Sequence, residues 1–437
     1  MIYGGDGLSR LPADESGRGK AVFVPFVLTG ERVEASITEQ KSGFGRARAD
    51  SILQPSSHRV QPGCPYFGQC GGCHYQHAGY EHQLEIKKDI LQETLRRTAK
   101  LELPVAIEVH PSPPWNYRNR SRLQVQTEPE FAMGYFKMGS HELLPVETCP
   151  ISSSLINRGI AALWQNGRNG GVPKGIREIE LFANTDDAQL LIEVSTESTA
   201  RRASLRAWVE DLRASMHEIV GVVVFRDADQ GGPRAQEKML ISGEDHLIYK
   251  TVRAQYRVSA GSFFQSNRYL IDELVRIVTA GQTGELAIDL YAGAGLFSTA
   301  LAGDIRHIVS VESSQTSSGD LSYNLPSNGE TVRASTEQYL ARVENSGRFG
   351  KGAVLPHSVH KPDLAVVDPP RNGLGERVAR MLATLGAPRV VYVSCDPATL
   401  ARDLVVLTGT GYRIEQVHLV DLFPQTFHLE TVVHLAR

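Results

Sequence analysis

The fold of this 437-residue chain is decided by the stretch Leu286-Ala-Ile-Asp-Leu-Tyr291-Ala-Gly-Ala-Gly-Leu-Phe297. An apolar strand runs directly into a glycine-rich turn, and a helical segment follows the turn. In doubly wound α/β sheets, ligands bind at such turns, at the carboxyl ends of the strands. Gly293 and Gly295 would let the backbone approach a ligand closely. The stretch therefore predicts a ligand-binding turn on a parallel sheet.

Strands and helices alternate on the carboxyl side of this turn. The other short apolar runs are His307–Glu312, Leu364–Asp368 and Val390–Cys395. This alternation is typical of a parallel sheet covered by helices on both faces. Two longer strand-like segments, Tyr412–Phe423 and Phe427–Leu435, then follow each other closely, which predicts a closing antiparallel hairpin. Residues 251–437 are therefore predicted to form a class I (Rossmann-like) methyltransferase domain.

The amino-terminal part of the chain has a different pattern. Residues 1–57 contain short β-like stretches punctuated by Gly and Pro, which predicts a small β-barrel of TRAM or OB type. Residues 58–250 are predicted to form a mixed α+β central domain. It contains a helical stretch from Tyr80 to Lys100 and strand-like segments such as Glu178–Ala183. The predicted architecture is thus an α/β chain of three domains, in keeping with its length.

Composition excludes several classes of protein. Hydrophobic residues make up 41% and charged residues 22% of the chain, as in ordinary globular proteins. No apolar run approaches the ~20 residues that cross a bilayer, so we expect no membrane partner. Met1–Arg10 lacks the basic and apolar segments of a signal peptide, which predicts a cytoplasmic protein. The net charge of −3 gives no overall attraction to nucleic acid, so RNA binding would need local basic patches. We expect a monomer.

Two carboxylates accompany the glycine-rich turn. Glu312 ends the next strand, where a carboxylate can accept both ribose hydroxyls of a nucleoside. Asp289 could hold the cationic amino-acid end of a ligand. A dinucleotide fingerprint would need a third glycine where the chain has Ser298, which disfavours a nicotinamide cofactor. A tight turn with an N-capping acid and no ligand is the structural alternative.

Three residues farther along the chain indicate covalent chemistry. Cys395 ends a predicted buried strand, directly before a helix, and the positive helix N-terminus favours its thiolate, so we expect partial ionisation at neutral pH. A small apolar core cysteine is the alternative. Asp368 ends the neighbouring strand, and Glu430 is a carboxylate in an otherwise apolar strand. Adding a thiolate to carbon 6 of uracil makes carbon 5 nucleophilic, and a carboxylate can then remove the carbon 5 proton. The base must leave its stack to reach Cys395.

Five motifs resemble those of the RNA 5-methyluridine methyltransferase family, in family order. They are Ser262-Phe-Phe-Gln-Ser-Asn267, Asp289-Leu-Tyr-Ala-Gly-Ala-Gly295, Asp368-Pro-Pro-Arg371, Ser394-Cys-Asp-Pro397 and Thr426-Phe-His-Leu-Glu430. The resemblance implies an enzyme that transfers a methyl group from S-adenosylmethionine to carbon 5 of an RNA uridine. It implies that Cys395 is the nucleophile and Glu430 the proton acceptor. It also implies contacts to S-adenosylmethionine from Gln265, Tyr291, Glu312 and Asp368.

The other four cysteines form a separate group: Cys64, Cys70, Cys73 and Cys149. Their number and spacing suit either an iron–sulfur cluster or a structural zinc ion, and ligand type alone does not separate the two. The family resemblance implies a 4Fe-4S cluster, for which we expect a structural or RNA-positioning role. His74 and His77 lie nearby and could be ligands, but we predict that they are surface polar residues.

RNA contacts are predicted at Arg118, Arg120 and Arg122. These arginines recur with period two, so on a strand they would share one face and could follow a phosphate backbone. A solvated strand edge is the alternative. By resemblance of the cysteine group and the β-module, ribosomal RNA is favoured over transfer RNA. A non-catalytic RNA-binding protein and a nicotinamide oxidoreductase with an iron–sulfur cluster are minor alternatives, which would leave Cys395 and Glu430 without roles.

Overall fold

The computed structural model describes residues 1–11, 19–227, 236–349 and 361–437. Its strands are β1 (Asp6–Arg10), β2 (Ala21–Pro25), β3 (Arg32–Gln40), β4 (Phe44–Gln54), β5 (Ile107–His110), β6 (Arg120–Gln126), β7 (Ala132–Phe136), β8 (Leu143–Pro145), β9 (Ile176–Ala183), β10 (Leu190–Thr196), β11 (Ile219–Asp227), β12 (Gln236–Gly243), β13 (His246–Lys250), β14 (Gln255–Ser259), β15 (Gly284–Leu290), β16 (Ile305–Glu312), β17 (Gly329–Arg333), β18 (Leu364–Val367), β19 (Arg389–Ser394), β20 (Arg413–Val420) and β21 (Glu430–Ala436). The helices are α1 (Tyr80–Thr94), which continues into a π-helical turn at Leu95–Ala99, α2 (Ser154–Arg168), α3 (Arg202–Ser215), α4 (Ile271–Thr279), α5 (Leu296–Leu301), α6 (Gln315–Asn324), α7 (Thr336–Phe349), α8 (Gly375–Leu385) and α9 (Pro397–Gly409).

The catalytic sheet has eight strands in the order β17-β16-β15-β18-β19-β21-β20-β5. The first five are parallel, and β21 is antiparallel to both β19 and β20. The predicted closing hairpin is therefore confirmed. All four residues of β18 are buried, because helices cover both faces of the sheet and leave no polar face on its central strands. The carboxyl ends of the parallel strands meet at one rim, where ligands bind in such sheets.

A seven-stranded central sheet, β12-β11-β10-β9-β6-β7-β8, lies before the catalytic sheet in sequence. Most of its strand pairs are antiparallel, and β10 and β11 are parallel. α2 and α3 pack on it. Ser153, the residue before α2, caps the helix, because its hydroxyl accepts a hydrogen bond from the amide of Ile156 at 3.2 Å. The buried side of the helix includes Leu155, Ile160 and Leu163.

The amino-terminal strands form a four-stranded sheet in the order β1-β2-β4-β3. β2 and β4 run parallel, and the other two pairs are antiparallel. Its small core consists of Val22, Val24, Val27 and Ala47. Because this core is small, we expect contacts to the rest of the chain to contribute to the order of the sheet.

The segment from α1 to β5 packs differently from the sequence prediction. β5 pairs in parallel with β20, and α1 packs against α9, so residues 80–110 lie on the catalytic sheet although they fall inside the predicted central domain of residues 58–250. The β13–β14 hairpin also crosses the predicted boundary at residue 250. In the part of the chain that the structure describes, every helix is too short or too polar to span a membrane.

Candidate functional site

The glycine-rich turn after β15 has an unusual backbone. Tyr291, Gly293 and Gly295 all have positive φ angles, of 66°, 57° and 91°. A Cβ atom at Gly295 would lie 2.8 Å from the Cδ1 atom of Leu321, so a larger residue would collide with the next helix. Glu312 holds the turn, because its carboxylate accepts the amide of Gly293 at 2.9 Å. Glu312 and Gly293, each predicted separately to bind the ligand, are therefore in contact with each other.

Asp289 lies at the end of β15 beneath this turn and is 1% exposed. One carboxylate oxygen accepts the amide of Ser298 at 3.1 Å and also accepts the Ser298 hydroxyl. Ser298, which interrupts the dinucleotide fingerprint, thus holds the acid. The other oxygen, Oδ1, is buried and has no hydrogen-bond partner among the described residues. Burial raises the pKa of Asp289 to about 7. An unpaired buried acceptor suits a ligand that brings a donor or a positive charge.

Cys395 and Glu430 meet at the rim of the catalytic sheet. Ser394 pairs with Thr431 across the antiparallel strands β19 and β21. Cys395, which follows Ser394, and Glu430, which precedes Thr431, therefore lie at the same end of the two strands. Glu430 and Asp368 lie close enough to Cys395 that the negative charge of each raises the pKa of its thiol. The structure therefore brings together the three residues that the sequence selected for covalent chemistry.

The thiol of Cys395 is less acidic than the sequence prediction assumed. Burial, followed by the charges of Glu430 and Asp368, raises its pKa to about 12, and Arg371 only partly opposes this. The helix N-terminus does not compensate, because the Asp396 carboxylate accepts the first free amides of α9, those of Ala398 and Thr399, at 3.0 and 2.9 Å. The expectation of a partly ionised thiol is thus wrong for the ligand-free protein.

Glu430 and Asp368 are also held near their neutral forms. Glu430 is 3% exposed, and burial together with the Asp368 charge raises its pKa well above the usual range. Burial, followed by the charge of Asp289, raises the pKa of Asp368 to about 7. Acidic groups with raised pKa values in one place are typical of a site that binds a cation or moves protons.

The loop that leads into Glu430 is fastened by residues that the sequence analysis missed. The Gln425 carbonyl accepts the amides of His74 and Tyr75 at 2.8 and 2.9 Å. Asp421 forms a fully buried ion pair with Lys87 of α1 at 2.6 Å. A lysine on the apolar side of α1 was the sequence signal for this contact, because a buried lysine requires a partner.

The four remaining cysteines line one cavity together with Arg118 and Tyr135. Burial raises the pKa of Cys70 to about 11 and of Cys73 to about 12, so thiolates here would need a metal centre to balance their charge. Among the described residues, no three of these sulfur atoms lie within 4.8 Å of one another. A tetrahedral zinc ion with bonds of about 2.3 Å would hold its sulfurs roughly 3.8 Å apart. A zinc ion bound by three or four of these cysteines would therefore require their sulfur atoms to lie closer together.

His77 is not a surface residue, contrary to the sequence prediction. It is 1% exposed and packs against the rings of Phe26 and Phe67, and this burial lowers its pKa to about 4. His74 is partly buried and stacks edge-on against Phe427. Both histidines therefore pack where the loop of Cys64, Cys70 and Cys73 contacts the amino-terminal sheet and the segment before β21.

The three arginines predicted to contact RNA do not form one exposed stripe. Arg120 is 12% exposed and forms ion pairs with Glu180 and, at 2.8 Å, with Glu193. Arg118 lines the cysteine cavity. Arg122 is 60% exposed and also pairs with Glu180, at 2.6 Å. The prediction of surface contacts is wrong for Arg118 and Arg120, because β9, β10 and the cysteine loop cover them.

Arg120 instead positions the motif that carries Gln265. Its guanidinium donates to the carbonyl of Ser262 at 2.5 Å. Gln265 is buried, whereas Phe263 between them is 68% exposed. Phe263 was missed in the sequence analysis, although an aromatic residue beside the cofactor motif was a usable signal. An exposed aromatic ring beside the catalytic rim is a candidate platform for a nucleobase.

Comparisons with known proteins agree with this geometry. The family model described as tRNA (uracil-5-)-methyltransferase matches residues 79–437. A protein of Aquifex aeolicus described as an RNA methyltransferase is 32% identical over 100% of this chain and 96% of its own. One of Streptomyces coelicolor with the same description is 33% identical over 100% of this chain and 91% of its own. The solved structure of Pyrococcus abyssi tRNA (uracil-54, C5)-methyltransferase, in complex with S-adenosyl-L-homocysteine, has a TM-score of 0.73 and 23% identity, covering 99% of this chain and 100% of that one.

Proposed function

The chain belongs to the tRNA (uracil-5-)-methyltransferase family and is an RNA methyltransferase, and we propose that it methylates carbon 5 of a uridine in RNA through a covalent adduct on Cys395. The observation that carries this proposal is the meeting of Cys395, Glu430 and Asp368 beside the glycine-rich turn. A nucleophile and a buried carboxylate are the two groups that the chemistry requires. Neither role is needed by a protein that only binds RNA.

The residues present fit S-adenosylmethionine, which supplies a methyl group on a positively charged sulfur. We assign Glu312, which accepts the amide of Gly293, to the ribose hydroxyls, and the unpaired Oδ1 atom of Asp289 to the ammonium group. Gln265, Tyr291 and Asp368 complete the proposed set. A cation bound beside the rim would offset the carboxylate charges and so lower the pKa of the Cys395 thiol. This would make the nucleophile available when both ligands are bound.

In the proposed reaction the Cys395 thiol first loses its proton to solvent, the thiolate bonds to carbon 6 of uracil, and the electron pair of the carbon 5–carbon 6 double bond moves to carbon 5. Carbon 5 takes the methyl group, and the methyl–sulfur bond of the cofactor breaks. Glu430 then accepts the proton from carbon 5, and the bond between Cys395 and carbon 6 breaks. Glu430 must be ionised to act here, and burial then favours the step, because a raised pKa makes its carboxylate a stronger base.

We propose that the four cysteines hold a 4Fe-4S cluster with a structural role. The cysteine loop donates two backbone hydrogen bonds to Gln425, in the loop that leads to Glu430. A cluster that orders the loop of Cys64, Cys70 and Cys73 would thereby fix the position of Glu430. Iron and sulfide analysis of anaerobically purified protein should give about four of each per chain. Stoichiometric zinc in place of iron would contradict the cluster.

Two classes of RNA are candidate substrates. Ribosomal RNA remains our first candidate, and transfer RNA is the second, since the Pyrococcus neighbour acts on transfer RNA. Either substrate fits a cytoplasmic protein. The amino-terminal β-sheet and the exposed Phe263 are the surfaces that we assign to RNA contact.

The test is to incubate the protein with S-adenosylmethionine and each RNA carrying 5-fluorouridine. Fluorine cannot leave as a proton, so the adduct should be trapped and visible on a denaturing gel. Mass spectrometry should place it on Cys395, and the Cys395→Ala variant should give none. Binding of S-adenosylmethionine by the Cys395→Ala variant is the control that this variant is folded. If the wild type forms no adduct with an RNA that it methylates, the covalent mechanism is wrong.

A further inference from the structure

The outer edge of the catalytic sheet carries a second group of metal-ligating side chains, which methyl transfer does not use. β5 pairs in parallel with β20, and Glu108 lies opposite His418. His110 follows Glu108 by two residues, so all three side chains share one face of the sheet. Both histidines are buried, while the carboxylate of Glu108 is 64% exposed. The group is therefore fixed on the protein side and open on the solvent side.

The three ligand atoms have the spacing of a tetrahedral metal site. The Nε2 atom of His110 lies 3.0 Å from the Nδ1 atom of His418. The Oε1 atom of Glu108 lies 3.7 Å from the first of these nitrogens and its Oε2 atom 3.4 Å from the second, and one ligand atom from each residue lies within 4.8 Å of the others. A zinc ion with bonds of about 2.0–2.1 Å to nitrogen and oxygen keeps tetrahedral ligands roughly 3.4 Å apart. All three separations lie close to this value.

The outer contacts of the histidines direct lone pairs towards the same point. His110 donates its Nδ1 proton to Glu273 at 2.7 Å, which leaves Nε2 as an acceptor. The Nε2 atom of His418 lies 3.2 Å from the side-chain oxygen of Gln416, which leaves Nδ1 as an acceptor. A carboxylate behind a ligating histidine is the usual arrangement in zinc sites. In neutral rings, two nitrogen lone pairs and a carboxylate then face each other, so the site needs a positive charge between them, either a proton shared by the two nitrogens or a metal ion.

The charges around the group favour a divalent cation. Glu108 and Glu273 are negative, and Arg276, which is paired with Glu273 at 2.7 Å, supplies one positive charge. With neutral histidines, the sum is one negative charge before any metal binds. A third histidine, His434, lies beside His418 with a ring-centroid distance of 5.5 Å, outside the ligand group.

We propose that this edge binds one zinc ion through His110, His418 and Glu108, with water in the open fourth position. The ion joins β5 to β20 and thereby fastens the segment that follows α1 onto the catalytic sheet. Its role is structural, and it is separate from the cysteine centre. Because the metal binds the folded state, zinc raises the melting temperature of the protein.

The test uses the full-length, anaerobically purified protein with its cysteine centre loaded. After addition of one equivalent of zinc, X-ray absorption at the zinc edge should show only nitrogen and oxygen ligands at about 2.0–2.1 Å, whereas cysteine sulfur would appear at about 2.3 Å. The melting temperature should rise by about 5 °C at saturating zinc. Sulfur-only ligation, or no bound zinc, would overturn the proposal.

Glu108→Gln is the decisive variant, because an exposed side chain can change without unfolding the protein. It should weaken zinc binding by more than about 100-fold in a chelator competition, since even outer partners of metal ligands contribute 10- to 100-fold. Glu273→Ala tests the outer contact and should weaken it by about 10- to 100-fold. His217→Ala, a change at a 93% exposed histidine elsewhere, is the matched control and should have no effect. Equal zinc affinity in Glu108→Gln and wild type would show that the two histidines only hydrogen-bond to each other.

Discussion

Two buried groups of charged side chains lie in neighbouring sheets and differ in how their charge is balanced. In the central sheet, Arg120 lies between Glu180 and Glu193. Arg120 and Arg122 outweigh the effect of burial on Glu180 and lower its pKa, although burial still raises that of Glu193. At the catalytic rim, Asp289 and Asp368 have pKa values raised to about 7 by burial, and burial also raises the pKa of Glu430 well above its usual range. The first group is balanced by the protein itself, whereas the second requires a cationic ligand or a proton.

The largest expected effect comes from removing the Glu430 carboxylate at the catalytic rim, where the protein does not balance the acidic side chains. Glu430→Gln keeps the shape of the side chain but cannot accept the carbon 5 proton, so turnover should fall by about 10²- to 10⁴-fold. The adduct on Cys395 should then accumulate with ordinary uridine RNA, at one methyl group per chain. Quench experiments and a denaturing gel measure both quantities. Undiminished turnover would remove Glu430 from the mechanism.

The balanced group should respond through stability. Arg120→Ala leaves Glu180 and Glu193 buried without their main partner, so we expect a loss of about 3–5 kcal/mol in the free energy of unfolding. Arg122→Ala removes a largely exposed guanidinium and should cost less than about 1 kcal/mol. Denaturant titration compares the two variants. Similar losses in both would show that burial of Arg120 does not decide the energetics of this network.

A pH series separates the two groups further. Asp289 and Asp368 keep their protons up to about pH 7 in the folded protein but lose them near pH 4 in the unfolded chain. The folded state therefore binds more protons between these values, and the free energy of unfolding decreases as the pH rises. Asp368→Asn should make the decline shallower by about 1.4 kcal/mol per pH unit. Added S-adenosylmethionine should also flatten the decline in the wild type, and an unchanged slope with the cofactor bound would contradict the charge argument.

The parts of the fold that the sequence predicted depend on local pattern. The strand and turn at Leu286–Phe297 are read from consecutive residues, and the β20–β21 hairpin joins segments adjacent in the chain. The pairing of β5 with β20 joins residues about 300 positions apart, and no local pattern specifies such a contact. The proposed catalytic residues likewise come from local motifs, which are read from consecutive residues of the sequence.

Side-chain burial was the part that local pattern predicted least well. A period of two placed Arg120 and Arg122 on one face of a strand, and both contact Glu180. The pattern contains no information on what covers that face, which depends on β9 and β10. The ionisation of Cys395 was predicted incorrectly for a similar reason. Its pKa depends on Glu430 and Asp368, which approach it only through the sheet.

The smallest expected effect concerns Phe263, which follows the residue that Arg120 holds. Its neighbour Ser262 accepts a hydrogen bond from Arg120, and Gln265 two residues later is buried, so the backbone on both sides of Phe263 is held in place. Phe263→Ala removes only an exposed ring and should leave the free energy of unfolding and the affinity for S-adenosylmethionine unchanged. The affinity for RNA should fall by about 10- to 100-fold, corresponding to one lost stacking contact of about 1–3 kcal/mol. Phe263→Tyr keeps the ring and should restore RNA binding, as measured by filter binding at fixed salt. If instead Phe263→Ala lowers the affinity for S-adenosylmethionine, the ring contributes to the order of the cofactor motif and the assigned role in RNA binding is wrong.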